Sequence, residues 1–68
     1  MKAKSKDEAK KLAKAHSLVK SHKDVAVYII HCSRTECFYV DDIGMIRLWE
    51  RLVGYYVNGV YTAERSRL

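Results

Sequence analysis

The stretch DVAVYIIHCSRTECFYVDD, residues 24–42, constrains the fold more than any other part of the chain. β-Branched and aromatic residues crowd both of its halves, and the polar SRTE between them suits a turn. The pattern predicts an antiparallel hairpin in which paired positions sum to 69, whether the loop holds two residues or four. Cys32 then faces Cys37, His31 faces Phe38, Ile30 faces Tyr39 and Ile29 faces Val40.

That register decides what the histidine and the two cysteines can do. Successive strand side chains point to opposite faces, so His31 and Cys32 diverge and cannot act as a base and its nucleophile. The C-x4-C spacing departs from the C-x2-C of structural zinc sites, and only His16 and His22 remain as further ligands, so no metal site is assigned. Directly opposed cysteines can be bridged, but the loop is short and the bridge would restrain the unfolded chain little. Free thiols are expected in a reducing compartment, with reversible oxidation as the minor alternative.

Neither face of the hairpin is polar. Val25, Val27, Ile29, Phe38 and Val40 share one, with His31 at its end; Ala26, Tyr28, Ile30, Tyr39 and both cysteines share the other. A sheet with one solvated side normally alternates, so both faces need a cover, from this chain or from a second copy. Tyr28, Ile30 and Tyr39 form the candidate partner surface, because tyrosine suits half-wet contacts.

Upstream, SKDEAKKLAKAHSLVKSH predicts a helix over residues 6–22. Ser5 and Glu8 have the spacing of a capping box, and Asp7 and Glu8 sit at the positive end of the helix dipole. Leu12, Ala15, Val19, His16 and Ala9 gather on one narrow face, and lysines occupy the rest. Residues 1–23 carry eight lysines against Asp7 and Glu8, while residues 24–68 are slightly acidic, so the net charge of +5 resides in the first third. Such asymmetry suits a polyanionic partner. Lys6, Lys10 and Lys14 are candidate phosphate contacts, with Arg47 and Arg51 as a second patch. No aromatic residue interleaves the lysines, so base stacking is not expected.

Residues 43–62 admit two readings. Asn58–Gly59 between Tyr55-Tyr56-Val57 and Val60-Tyr61 signals a tight hairpin. The alternative has Asp42 as N-cap, a helix over residues 43–57 and Asn58–Gly59 as its C-cap. On a wheel the helix gathers Arg47, Glu50 and Arg51 with Gly44 and Gly54, whereas strict alternation scatters them. The helix is therefore favoured, followed by a short edge strand near Val60–Thr62.

The expected fold is a small single α+β domain of order α-β-β-α, with a two-stranded antiparallel hairpin packed by two helices and a short C-terminal edge strand. At 68 residues it would bury only ~60% of its unfolded surface, with residues 1–5 and 64–68 frayed. No apolar run is long enough to span a membrane and no apolar stretch follows the basic start, so a cytoplasmic, soluble protein is expected. No phosphate-loop, dinucleotide or zinc-protease motif occurs, and no acid, base or nucleophile converges. The functional expectation is a non-enzymatic binding module that self-associates or binds another protein; the alternative is a sequence-non-specific nucleic-acid-binding module. No cofactor, small-molecule substrate or membrane partner is expected.

Overall fold

The computed structural model describes residues 1–63, and the expected fraying of residues 64–68 falls outside them. Among the described residues five antiparallel strands form one sheet: β1 (Lys2–Ala3), β2 (Val27–Cys32), β3 (Cys37–Asp41), β4 (Glu50–Val57) and β5 (Val60–Ala63). Their spatial order is β1-β3-β2-β4-β5. One helix, α1 (Lys6–Ser17), lies across a single face, and a turn of 3-10 helix at Lys20–His22 follows it.

The central hairpin has the register read from the sequence, from Tyr28 opposite Asp41 to Cys32 opposite Cys37. Val27 and Ile29 are fully buried beneath α1, with Val40 and Tyr56 beside them. Sealing a side chain of this size from water contributes about 1.5–3 kcal/mol. Residues 1–3 are tied to the sheet: the Met1 ammonium donates to Val40 O at 3.0 Å, and Val40 N donates to Met1 O at 2.8 Å.

The Ser5 oxygen accepts from Glu8 N at 3.1 Å, so the helix starts where its capping signal places it. Its buried stripe is Ala9, Ala13 and Ser17, rotated from the expected face; Ala15 and Val19 are exposed. The helix ends five residues earlier than expected. Its last turn docks on the β4–β5 turn, where the buried Ser17 hydroxyl accepts from Gly59 N at 2.9 Å and donates to Lys14 O at 2.8 Å. Asn58 completes the join, accepting from Asp24 N at 3.0 Å and donating to Asp24 Oδ1 at 2.8 Å.

The expected second helix over residues 43–57 is absent, which corrects the α-β-β-α order. Asn58 (φ 51) and Gly59 (φ 83) form a two-residue hairpin turn, and β4 and β5 pair from Val57 opposite Val60 to Gly54 opposite Ala63. Alternation fails along this segment because β4 carries a bulge: Gly54 pairs with Ile29 but Leu52 pairs with Ile30, leaving Val53 as the extra residue. The bulge reverses the strand's phase. Val53 packs on the helix-side core, while Leu52 and Glu50 join the face of Ile30 and Cys32. Asp42 caps no helix, and residues 42–49 form a loop.

Two substitutions test the helix–hairpin join. Ser17→Ala leaves the Gly59 amide without its partner and is expected to cost about 1–3 kcal/mol in urea unfolding. Gly59→Ala places a Cβ in a positive-φ conformation, 2.8 Å from a Leu18 methyl, and is expected to cost at least as much.

Candidate interaction surface

The face of the sheet away from α1 is covered by the 42–49 loop. Ile43 N donates to Asp41 Oδ1 at 2.9 Å, which turns the chain over the sheet, and Gly44 lies against the Tyr28 ring. At the far end, Glu50 N donates to Arg47 O at 3.0 Å, while the Glu50 carboxylate accepts from Arg47 N at 2.8 Å. Ser33 anchors this turn by donating its amide and hydroxyl to Trp49 O, at 3.0 and 2.8 Å.

Between loop and sheet lies an open cleft of about 560 Å3. Ile30, Cys32 and Tyr39 line it from the sheet, and Met45, Ile46 and Trp49 from the loop. The Arg34 guanidinium stacks 3.7 Å from the centre of the Trp49 ring; Arg47 stands 5.9 Å from it and pairs with Glu50 at 3.8 Å. The Thr35 hydroxyl and amide hold the Cys32 thiol below its usual range.

The loop leaves its apolar side chains in water. Leu48 is fully exposed, Met45 is 83% exposed, Ile43 57% and Ile46 48%. A monomeric surface rarely gathers four such side chains in six residues. Reading residues 43–57 as a helix concealed this cluster, because the same residues then belonged to a wide buried arc. The hairpin signal at Asn58–Gly59 is what pointed to it.

Of the candidate partner residues, Tyr28 and Tyr39 are half-buried at this face, and Ile30 is buried beneath the loop. Lys6 and Lys14 are exposed on α1, but Lys10 is half-buried with its ammonium 4.4 Å from the centre of the Tyr61 ring. Arg47 and Arg51 do not form one patch. Arg47 lines the cleft, whereas Arg51 pairs with His31 in the phase of the helix-bearing face. His16 stacks on His22 with ring centroids 4.1 Å apart, and His22 approaches Asp42 at 3.4 Å.

Among the described residues, no group of three or more His, Cys, Asp or Glu side chains is placed to hold a metal ion. Nor is any helix there long and apolar enough to cross a membrane. Comparison of the chain with protein-family models, curated proteins and solved structures finds no match.

The Arg34–Trp49 stack is directly testable, since Trp49 is the sole tryptophan. Arg34→Ala is expected to move its fluorescence emission to longer wavelength as the ring gains water. Stability should fall by no more than about 1 kcal/mol, as suits an exposed cation–aromatic contact.

Proposed function

We propose that this protein is a small interaction module without catalytic chemistry of its own, which self-associates through the 43–48 segment and the adjoining cleft. The observation that carries this reading is the exposure of Ile43, Met45, Ile46 and Leu48 on one loop braced by hydrogen bonds at both ends. A braced apolar loop loses little conformational freedom on contact, which favours association per unit of area buried. Tyr39 and Trp49 beside it are amphipathic anchors of the kind enriched at interfaces.

A second reading rests on charge. Lys4, Lys6, Lys11 and Lys14 are exposed on or near α1, on the opposite side of the sheet from the loop, and Lys20 and Lys23 are exposed at the 3-10 turn that follows. This surface could contact phosphates without reading bases. The two readings use opposite faces and can be tested separately.

Light scattering across a concentration series is expected to show a dimer or larger species. Leu48→Lys combined with Met45→Lys should return it to a folded monomer whose thermal transition no longer depends on concentration, because neither side chain supports the core. A wild-type protein that stays monomeric throughout removes self-association from the proposal.

The phosphate reading predicts binding to random duplex or single-stranded nucleic acid at near-physiological salt. Each lost contact should lower the salt slope by about 0.7–0.9, so Lys6→Gln with Lys14→Gln is the informative pair. Binding confined to low salt would make these lysines a solvated face only.

A further inference from the structure

Cys32 and Cys37 are a pair of opposed thiols beside the proposed interaction surface, with Cys32 in the wall of its cleft. Both are free thiols, directly opposed across the β2–β3 hairpin and on the same face of the sheet. Their type of pairing follows from the neighbouring ladder. Val40 turns both its N–H and its C=O to Met1, so Val40 and Ile29 are a non-hydrogen-bonded pair. Alternation along the ladder then makes Cys32 and Cys37 a hydrogen-bonded pair, whose Cα atoms are ~5.5 Å apart in regular sheet. That separation lies within the ~4.4–6.8 Å that disulfides span, and closing the bond must draw in the Cβ atoms, which stand farther apart in this type of pair, to ~3.5–4.5 Å.

Thr35 is in contact with both thiols. Cys37 Sγ donates to Thr35 O at 3.4 Å, while the hydroxyl and amide of Thr35 favour the thiolate of Cys32. The thiols also differ in access: Cys37 is half-buried, whereas Cys32 is buried at the wall of the cleft. The turn thus places an accessible thiol opposite a sheltered one.

We propose that Cys32 and Cys37 form a dithiol–disulfide site across the hairpin, oxidised by exchange with a small disulfide of the glutathione class. Cys37 is the entry thiol and Cys32 the resolving thiol. The Cys37 thiolate attacks one sulfur of the small disulfide, forming a mixed disulfide and releasing one small thiolate. The Cys32 thiolate then attacks Cys37 Sγ, closing the Cys32–Cys37 bond and releasing the second. The protein loses two protons and two electrons; the small disulfide gains both and leaves as two thiols. Thr35 is a positioning residue, since its hydroxyl favours the thiolate needed for the second step. The site rests on the hairpin register and not on the proposed association, although Cys32 also lines the cleft.

The test uses native full-length protein incubated with oxidised glutathione, quenched by alkylation and weighed intact. The expected product lacks two hydrogens, takes up no alkylating agent and regains both thiols with dithiothreitol. Cys32→Ser should stop at a stable glutathione adduct on Cys37, and Cys37→Ser should react far more slowly. Thr35→Val, which keeps the residue's shape, should slow ring closure several-fold with adduct formation unchanged. A wild-type protein that stops at the adduct, or that links only to other chains, overturns the site. Equal closure rates in Thr35→Val and wild type overturn the assignment of Cys32 as the Thr35-favoured resolving thiolate.

Discussion

The distance between α1 and the sheet is the constraint from which the rest of the structure follows. Ala9, Ala13 and Ser17 lie one turn apart along the buried side of the helix, and none has a side chain large enough to hold it off the strands. The helix settles low over Val27 and Ile29, with Leu12, Phe38, Val53 and Tyr61 closing the flanks. A closely seated helix must also satisfy polar groups at its end. Ser17 does so by accepting from a strand-turn amide and donating to its own helix. A larger residue at position 13 would lift the helix and break that exchange as well as the packing.

Much of this was legible in the sequence, and what was not has physical causes. The Ser5–Glu8 cap and the central hairpin, register included, were readable because each depends on residues close together in the chain. The failure over residues 43–57 came from two features. The Val53 bulge places like residues out of phase, so a test for strict alternation rejects a strand that is present. Residues 42–49 are then a loop rich in apolar residues, which resembles the buried side of a helix. The buried stripe of α1 was misplaced by one sector because a hydrophobic wheel discounts Ser17, whose role is a hydrogen bond to a residue far along the chain.

The two sides of the sheet are finished differently. On one, α1 seals the core and turns its lysines outward. On the other, the loop covers Ile30 but leaves Met45 and Leu48 exposed and a cleft open beside them. The prediction that each face of the hairpin needs a cover is met by a helix on one side and by a loop on the other. Of the candidate partner residues, the tyrosines remain at the rim of the loop-covered face, whereas Ile30 does not. The cationic and apolar surfaces are therefore separated by the thickness of the sheet, and one partner need not compete with another.

The Ser17–Gly59 bond joins residues 42 apart in sequence, and Asp24–Asn58 joins residues 34 apart. Each of the two hairpins, in contrast, can form from neighbouring residues on the microsecond scale. Closing the long loops costs chain entropy that is recovered only after the β4–β5 turn exists. A helix end that docked after the main folding barrier would act as a clamp that slows unfolding more than it speeds assembly. That clamp rests on a serine hydroxyl and an asparagine amide at one end of the sheet.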